Sequence, residues 1–274
     1  MKHRMFRIII LLAGAFLVAG CTANLIYHPC GEVLRTPTDA GLAYEDVVIE
    51  TSDGVRITGW WVPAADPRGT VLFCHGNGGN IADRLDTLVI AGRLNLNMLV
   101  FDYRGYGKSG GAPSEQGTYL DAEACYRYLV EEREIAPETI VIWGRSLGGA
   151  VAAGTAAEHP CGLLIIESSF TSLEDLVRER FGWIAACVLA NYVYPVRSRL
   201  EQVDAPVLVI HSKDDEMIPF SHGRSLYDAA RGKKAFLVIQ GSHNRGFLDS
   251  LAVYESGVDD FITGSLEHKE AYRP

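Results

Sequence analysis

One serine stands in a glycine-rich turn between a strand-like run and a helix-like run. Residues 144–148 read Gly-Arg-Ser-Leu-Gly, after the apolar run 140–143 and before the alanine-rich run 150–157. A turn of this kind strains its serine outward, and flanking glycines let the strand and the helix approach closely. The pattern predicts Ser146 as a nucleophile.

A second stretch of the chain matches the same short pattern and serves as a control. Residues 107–111 read Gly-Lys-Ser-Gly-Gly, but Pro113 follows instead of a helix, and the preceding strand-like run ends near Tyr103. The context therefore favours Ser146 over Ser109. The glycines of this loop also match a dinucleotide-binding spacing, but no helix opens directly from it, so nucleotide binding is not expected.

A serine nucleophile needs a general base, and the base needs a carboxylate that fixes its tautomer and stabilises the imidazolium. An acidic loop with Asp214 and Asp215 follows one apolar run, and His243 follows the last one. Either signal alone would be weak, because acidic loops are usually solvated and loop histidines are usually incidental. Together with Ser146 they follow one another in the order serine, aspartate, histidine, which differs from the orders on unrelated protease folds.

Another glycine-rich loop is suited to hold an oxyanion. Residues 75–80 read His-Gly-Asn-Gly-Gly-Asn and follow the apolar run 71–74. Acyl transfer needs backbone N–H groups aimed at the developing oxyanion, each worth about 3 to 4 kcal/mol of barrier. We expect one donor from Leu147 and the other from Asn77, with His75 as a turn residue and not a base.

The elements that must position these loops form a regular series. Short apolar runs alternate with longer helical segments, and such consecutive apolar positions are typical of strands buried on both faces of a parallel sheet. Functional loops then leave the carboxyl ends of the strands. The sequence predicts an α/β fold with a mostly parallel central sheet flanked by helices. The runs are 71–73, 98–101, 140–143, 163–166, 207–210 and 236–239, after a hairpin-like stretch over 47–62.

The first residues resemble an export signal. Three cations, without any acid, precede the apolar run Ile8–Ala19, which is shorter than the roughly 18 to 20 residues that span a bilayer. Residues 17–21 read Leu-Val-Ala-Gly-Cys, which resembles the bacterial lipobox. This resemblance implies a signal peptide over 1–20 and lipid attachment at Cys21. Thr22 in place of Asp indicates the outer membrane of a bacterial cell envelope, facing the periplasm. An uncleaved anchor is the alternative.

Charge excludes some partners. The 274 residues carry 25 Lys and Arg against 34 Asp and Glu, a net charge of −9, which becomes −12 when the three cations of residues 1–20 are removed. This balance disfavours nucleic acid as a partner, because nucleic-acid affinity depends on cationic neutralisation of phosphates.

Several motifs together resemble the α/β-hydrolase family, in the serine-aminopeptidase-like group that also holds depalmitoylating α/β-hydrolase-domain proteins. The resemblance covers nearly all of the chain after its first 24 residues. The matching stretches are 44–63, 73–80, 101–122, 144–152, 167–173, 205–219 and 241–244.

This resemblance implies a triad of Ser146, Asp215 and His243, with the acid four residues after a histidine that ends a strand. It also implies that no metal or organic cofactor is needed. The residues after that histidine, Ser212 and Lys213, depart from the usual glycine-containing pattern, so Asp214 remains the second candidate for the acid. Glu167 and the loop over 102–104 are expected to brace the site.

The resemblance also suggests a domain plan. A lipid-anchored tether would cover 21–44, the hydrolase domain 45–263 with a short lid at about 171–205, and a polar tail 264–274. The lid contains the apolar run 181–190. Packing of this run on the sheet is the favoured interpretation, and an acyl-binding wall or contact with lipid is the alternative.

The expected function is that of a membrane-tethered serine hydrolase. It would cleave carboxylic esters or thioesters of a small or lipid-like acyl compound, palmitate among them, through an acyl-enzyme. A serine peptidase or amidase on the same fold is one alternative. A catalytically silent lipoprotein that serves as a binding scaffold is another.

Overall fold

The computed structural model describes residues 23–270, and their side chains up to residue 266. The predicted signal peptide and Cys21 lie outside the described residues. One sheet of eight strands has the order β1-β2-β4-β3-β5-β6-β7-β8. The strands are β1 Glu45–Glu50, β2 Arg56–Val62, β3 Thr70–Cys74, β4 Asn97–Phe101, β5 Ile140–Arg145, β6 Leu163–Glu167, β7 Val207–Ser212 and β8 Lys234–Ile239.

The pairing confirms the predicted mostly parallel sheet. Strands β3 to β8 are parallel to their neighbours, and only the β1–β2 and β2–β4 pairs are antiparallel. Every residue of β3, β4, β5, β6 and β7 is buried, whereas β1 buries only Val47 and Ile49. The central strands therefore require consecutive apolar residues, whereas in the edge strand β1 an alternation of buried and exposed residues suffices.

Helices cover both faces of the sheet. One core contains Val151 and Tyr194 and lies on the face of α3, and the other contains Leu88 and Tyr254 and lies on the face of α1 and α9. The helices are α1 Leu85–Arg93, α2 Glu115–Arg127, α3 Leu147–Glu158, α4 Leu173–Phe181, α5 Trp183–Val188, α6 Val196–Leu200, α7 Phe220–Ala229, α8 Gly246–Asp249 and α9 Leu251–Glu270. Short 3-10 helices lie at Pro37–Ala40, Ile81–Arg84 and Pro137–Thr139, with a π-helical turn at Tyr128–Glu132.

The segment predicted as a tether over 21–44 is packed on the domain from Ala23 onward. Ile26 and Tyr27 are buried in the core, and the Tyr27 hydroxyl lies 2.7 Å from that of Tyr194. Pro29 forms a bridge to the loop before α1. This part of the predicted lipid-anchored tether therefore contributes Ile26 and Tyr27 to the core of the domain.

The predicted polar tail over 264–274 also differs from the structure. Helix α9 continues to Glu270, and Leu266 is buried. Its side chain fits against Gly69 and Gly162, where a β-carbon would come within 3.0 and 2.6 Å of it. The domain therefore extends beyond 263.

The lid span between β6 and β7 holds α4, α5 and α6. The favoured interpretation, that the run 181–190 packs on the sheet, holds for Leu189 but is wrong for the other large side chains of the run. Ala186 is buried, whereas Phe181, Trp183, Ile184 and Val188 are exposed. Among residues 23–270, no helix is both long and apolar enough to cross a bilayer.

Candidate active site

Ser146 occupies a strained turn between β5 and α3. Its backbone has φ 56°, in the left-handed region that favours glycine. The glycines on either side allow strand and helix to meet: a β-carbon on Gly144 would lie 2.1 Å from the Gly148 carbonyl oxygen, and one on Gly148 would lie 1.9 Å from that of Cys74. The predicted nucleophile turn therefore has the geometry that exposes a serine hydroxyl.

Three side chains from three loops form one hydrogen-bonded chain. The Oγ of Ser146 lies 3.0 Å from Nε2 of His243, and Nδ1 of His243 lies 2.8 Å from Oδ2 of Asp215. With a proton on Nδ1 donated to the carboxylate, Nε2 accepts the serine proton. This is the arrangement in which an imidazole removes a proton from a hydroxyl and a carboxylate stabilises the imidazolium.

The loop after β7 brings Asp215, and not Asp214, to the histidine. Oδ1 of Asp215 accepts the backbone N–H groups of Met217 at 2.9 Å and Ile218 at 2.7 Å. Burial alone would raise the pKa of Asp215, but the hydrogen bond and charge of His243 and the N–H of Ile218 outweigh it and lower that pKa. Asp214 instead accepts the N–H of Gly241 at 3.1 Å.

Two residues hold the histidine loop in place, and the sequence prediction missed both. Ser212 Oγ donates to the Gly241 carbonyl at 2.5 Å, and the Glu216 carboxylate accepts the backbone N–H of His243 at 3.0 Å. Ser212 stands at one of the positions that depart from the family pattern. A serine at this position was therefore the sequence signal that could have indicated the contact with the Gly241 carbonyl.

Two backbone N–H groups near Ser146 are available for an oxyanion. Leu147 is the first residue of α3, whose N-terminus favours negative charge. The turn with Asn77 lies against the serine, since a β-carbon on Gly76 would be 3.4 Å from Cβ of Ser146. Among the hydrogen bonds of residues 23–270, neither the N–H of Asn77 nor that of Leu147 has an acceptor.

The N-terminal segment holds the side chain of Asn77. Its Oδ1 accepts the backbone N–H of His28 at 3.2 Å and the hydroxyl of Tyr106 at 2.8 Å, while its Nδ2 donates to the Ile26 carbonyl. The Gly79 N–H also donates to His28, at 3.1 Å. The residues just after the predicted lipid site thus fix the turn, a contact that the sequence pattern did not reveal.

A buried ion pair braces the strand end behind the nucleophile. Arg145 donates to both carboxylate oxygens of Glu167, at 2.7 and 3.1 Å, and its guanidinium lies 3.8 Å from the ring centroid of Phe247. The Ser146 N–H donates to the Glu167 carbonyl at 2.8 Å. The Glu167 carboxylate therefore supports the turn through Arg145, while the ring of His243 is held by Asp215 and Ser146, in agreement with the expected bracing role of Glu167.

The other serine candidate, Ser109, is part of a loop brace. Its Oγ donates to the carbonyl of Asp102 at 2.7 Å and accepts the N–H of Thr58 at 2.9 Å. The Asp102 carboxylate accepts the N–H of Ile81 at 2.9 Å, and burial raises its pKa to about 7. Burial lowers the pKa of His75 to about 3, so this histidine is neutral, and it donates to the Gly76 carbonyl at 2.8 Å.

Known proteins resemble this chain in sequence and in fold. The sequence profile of the serine aminopeptidase family S33 matches residues 65–193. An uncharacterized protein of Mycobacterium tuberculosis is 38% identical over 243 residues, which cover 88% of this chain and 86% of that one. The alpha/beta hydrolase domain-containing protein WAV2 of Arabidopsis thaliana is 35% identical over 294 residues, covering 97% of this chain and 92% of WAV2.

Among solved structures, the esterase Pf2001 of Pyrococcus furiosus superposes with a TM-score of 0.72. It is 22% identical, and the match covers 88% of this chain and 98% of the esterase. At that identity the likeness shows the fold. The similarity to WAV2 shows that this chain is a hydrolase of the α/β-hydrolase family, and residues 65–193 are similar to the serine aminopeptidase family.

Proposed function

We propose that the protein is a serine hydrolase that cleaves carboxylic esters or thioesters through an acyl-enzyme. The observation that carries this proposal is the continuous chain of hydrogen bonds from Asp215 through His243 to Ser146. Such a chain converts a serine hydroxyl, which is a weak nucleophile by itself, into an attacking group.

The reaction has two halves. Ser146 Oγ attacks the acyl carbon while His243 takes its proton, and the oxyanion receives hydrogen bonds from the N–H groups of Asn77 and Leu147. The imidazolium then protonates the leaving alcohol or thiol, and the acyl group stays on Ser146. In the second half His243 removes a proton from water, which attacks the acyl-enzyme ester; the imidazolium then returns that proton to Ser146 Oγ as the acid is released.

The same enzyme is proposed to be anchored by lipid at Cys21 and to face the periplasm from the outer membrane. The lipobox-like residues 17–21 support the anchor. An anchored enzyme would meet acyl compounds that partition into the bilayer. A lipid-like acyl chain, such as palmitate, is therefore the proposed substrate class.

Hydrolysis of matched acyl compounds tests this proposal. The full chain is offered p-nitrophenyl esters from acetate to palmitate, the corresponding thioesters, and aminoacyl anilides. We expect turnover of the esters and thioesters with little cleavage of the anilides. Preferential cleavage of the anilides would indicate a peptidase, and absence of all turnover would favour the silent scaffold.

A further inference from the structure

The lid carries an exposed apolar face, composed of Phe181, Trp183, Ile184 and Val188. These side chains are 75%, 70%, 65% and 52% exposed, respectively. They lie within eight consecutive residues that join α4 to the end of α5. A cluster of large apolar side chains on the surface of a soluble domain usually marks an interaction site.

The polypeptide reaches the domain beside this lid. The ring of Tyr27 packs against that of Tyr192 with centroids 5.9 Å apart, and its hydroxyl lies 2.7 Å from the hydroxyl of Tyr194. Leu25, two residues earlier, is 63% exposed. Residues 1–22, with the apolar run 8–19 and Cys21, lie outside the described residues and precede Ala23 directly. An anchor there would hold the domain by its lid side.

The exposed face also adjoins the catalytic loops. Arg180 donates to the carbonyl oxygens of Glu216 and Met217, which directly follow Asp215. Phe181 is next to Arg180, and Met217 is itself half exposed. The face therefore continues from the lid to the edge of the acid loop.

The segment that follows Phe181 is poor in acidic residues, in contrast to α4 before it, which carries Glu174, Asp175 and Glu179. The chain has 34 Asp and Glu residues, but none between Phe181 and Leu200, where the charged residues are Arg197 and Arg199. Exposed Trp and Phe side chains suit the interface of a phospholipid bilayer, where aromatic rings lie at the level of the headgroups.

We propose that the exposed lid face docks on the surface of a phospholipid bilayer. The proposal rests on the function proposed above, since the anchor at Cys21 would bring this face to the membrane. Docking would turn the lid side of the catalytic loops toward the lipid. An acyl chain could then pass from the bilayer to Ser146 without crossing water.

Trp183 provides a built-in probe for the test. The chain has four tryptophans, and Trp60, Trp61 and Trp143 are buried. The full chain is reconstituted in phosphatidylcholine vesicles with or without brominated acyl chains, and tryptophan emission is recorded. The emission that is lost in the variant Trp183→Phe is the contribution of Trp183. We expect bromolipid to quench at least half of that contribution. The proposal would be overturned if bromolipid left the Trp183 emission unchanged and aqueous acrylamide quenched it fully.

A matched pair of variants locates the contact. Val188 and Val253 are 52% and 55% exposed, but Val253 belongs to α9, which packs on the opposite face of the sheet. We expect Val188→Ser combined with Ile184→Ser to reduce bromolipid quenching severalfold, and Val253→Ser to leave it unchanged. Equal effects of both changes would contradict a lid-specific contact. Without lipid, a blue-shifted Trp183 emission that returns to longer wavelength on dilution would show that a second copy of the chain covers this face. That result would overturn the proposal.

Labelling of Ser146 by a soluble fluorophosphonate is measured on the same samples. Labelling without bromolipid quenching would reject the docking proposal and leave the hydrolase proposal standing. Quenching without labelling would reject the hydrolase proposal and support docking of the lid by itself.

Discussion

The backbone N–H of His28 donates a hydrogen bond of 3.2 Å to the side chain of Asn77, so the first described residues of the chain hold the proposed oxyanion turn. The Ile26 carbonyl accepts from the same side chain. The segment between the predicted lipid site and the domain therefore has a part in the geometry of the active site, in addition to any role as a linker.

Replacement of Asn77 by Ala tests this contact, because the variant keeps the proposed N–H donor and loses the side chain that aligns it. We expect kcat to fall about 10-fold to 100-fold with little change in KM, less than the full loss of a donor. Tyr106→Phe removes only one of the hydrogen bonds to Asn77 and should have a smaller effect, of about fivefold. An unchanged kcat in Asn77→Ala would show that the turn is positioned without the N-terminal segment.

The adjacent aspartates of the acid loop offer a matched comparison. Asp215→Asn should lower kcat by roughly 10⁴, because the amide no longer holds His243 in the required tautomer. Asp214→Asn keeps an oxygen for the Gly241 N–H and should change kcat by less than about tenfold. Steady-state kinetics on a short ester checks both. Greater loss in Asp214→Asn would contradict the assignment of the acid.

The buried carboxyl of Asp102 makes stability depend on pH. Burial raises its pKa from the ordinary 3.8 to about 7, so between these values the folded protein binds a proton that the unfolded chain has released. The free energy of unfolding should therefore fall as pH rises from about 4 to 7, by roughly 4 kcal/mol at most.

Asp102→Asn removes this contribution while keeping an acceptor for the Ile81 N–H. Denaturant unfolding measures the free energy of unfolding at pH 5 and at pH 8. The difference between these two free energies should be smaller in the variant than in the parent protein. Identical differences would mean that Asp102 is ionised in the folded protein over the whole range.

The pair of Arg145 and Glu167 should matter for stability through its burial. Glu167→Gln leaves a buried guanidinium without its counter-charge and is expected to lower the free energy of unfolding by about 3 to 5 kcal/mol. Replacement of both partners by Arg145→Met and Glu167→Leu should recover much of that loss. Denaturant titration measures each variant, and a double replacement as unstable as the single one would argue against a charge effect.

The sequence predicted the features that local pattern determines. Consecutive apolar residues identified the central strands, since a strand buried on both faces admits little else. The nucleophile turn was recognisable because Gly144 and Gly148 must be small for β5 and α3 to meet. Its position relative to His243 followed from the rule that such loops share one edge of a parallel sheet.

Features set by distant contacts could not be predicted in this way. Local pattern does not separate Asp214 from Asp215; the family resemblance favoured Asp215, and the structure brings that residue to His243. Likewise, the burial of Leu266 depends on space left by glycines far away in the chain. An apolar composition predicts that a lid helix has an apolar face, but not whether that face turns inward or outward.

The central claim is that Ser146 is the nucleophile, and covalent labelling tests it most directly. The full chain, Ser146→Ala and Ser109→Ala are treated with a fluorophosphonate, and the adduct is measured and located by mass spectrometry. We predict one adduct on Ser146 in the parent protein and in Ser109→Ala, and none in Ser146→Ala. An adduct that persists in Ser146→Ala, or a parent protein that does not react, would contradict the account.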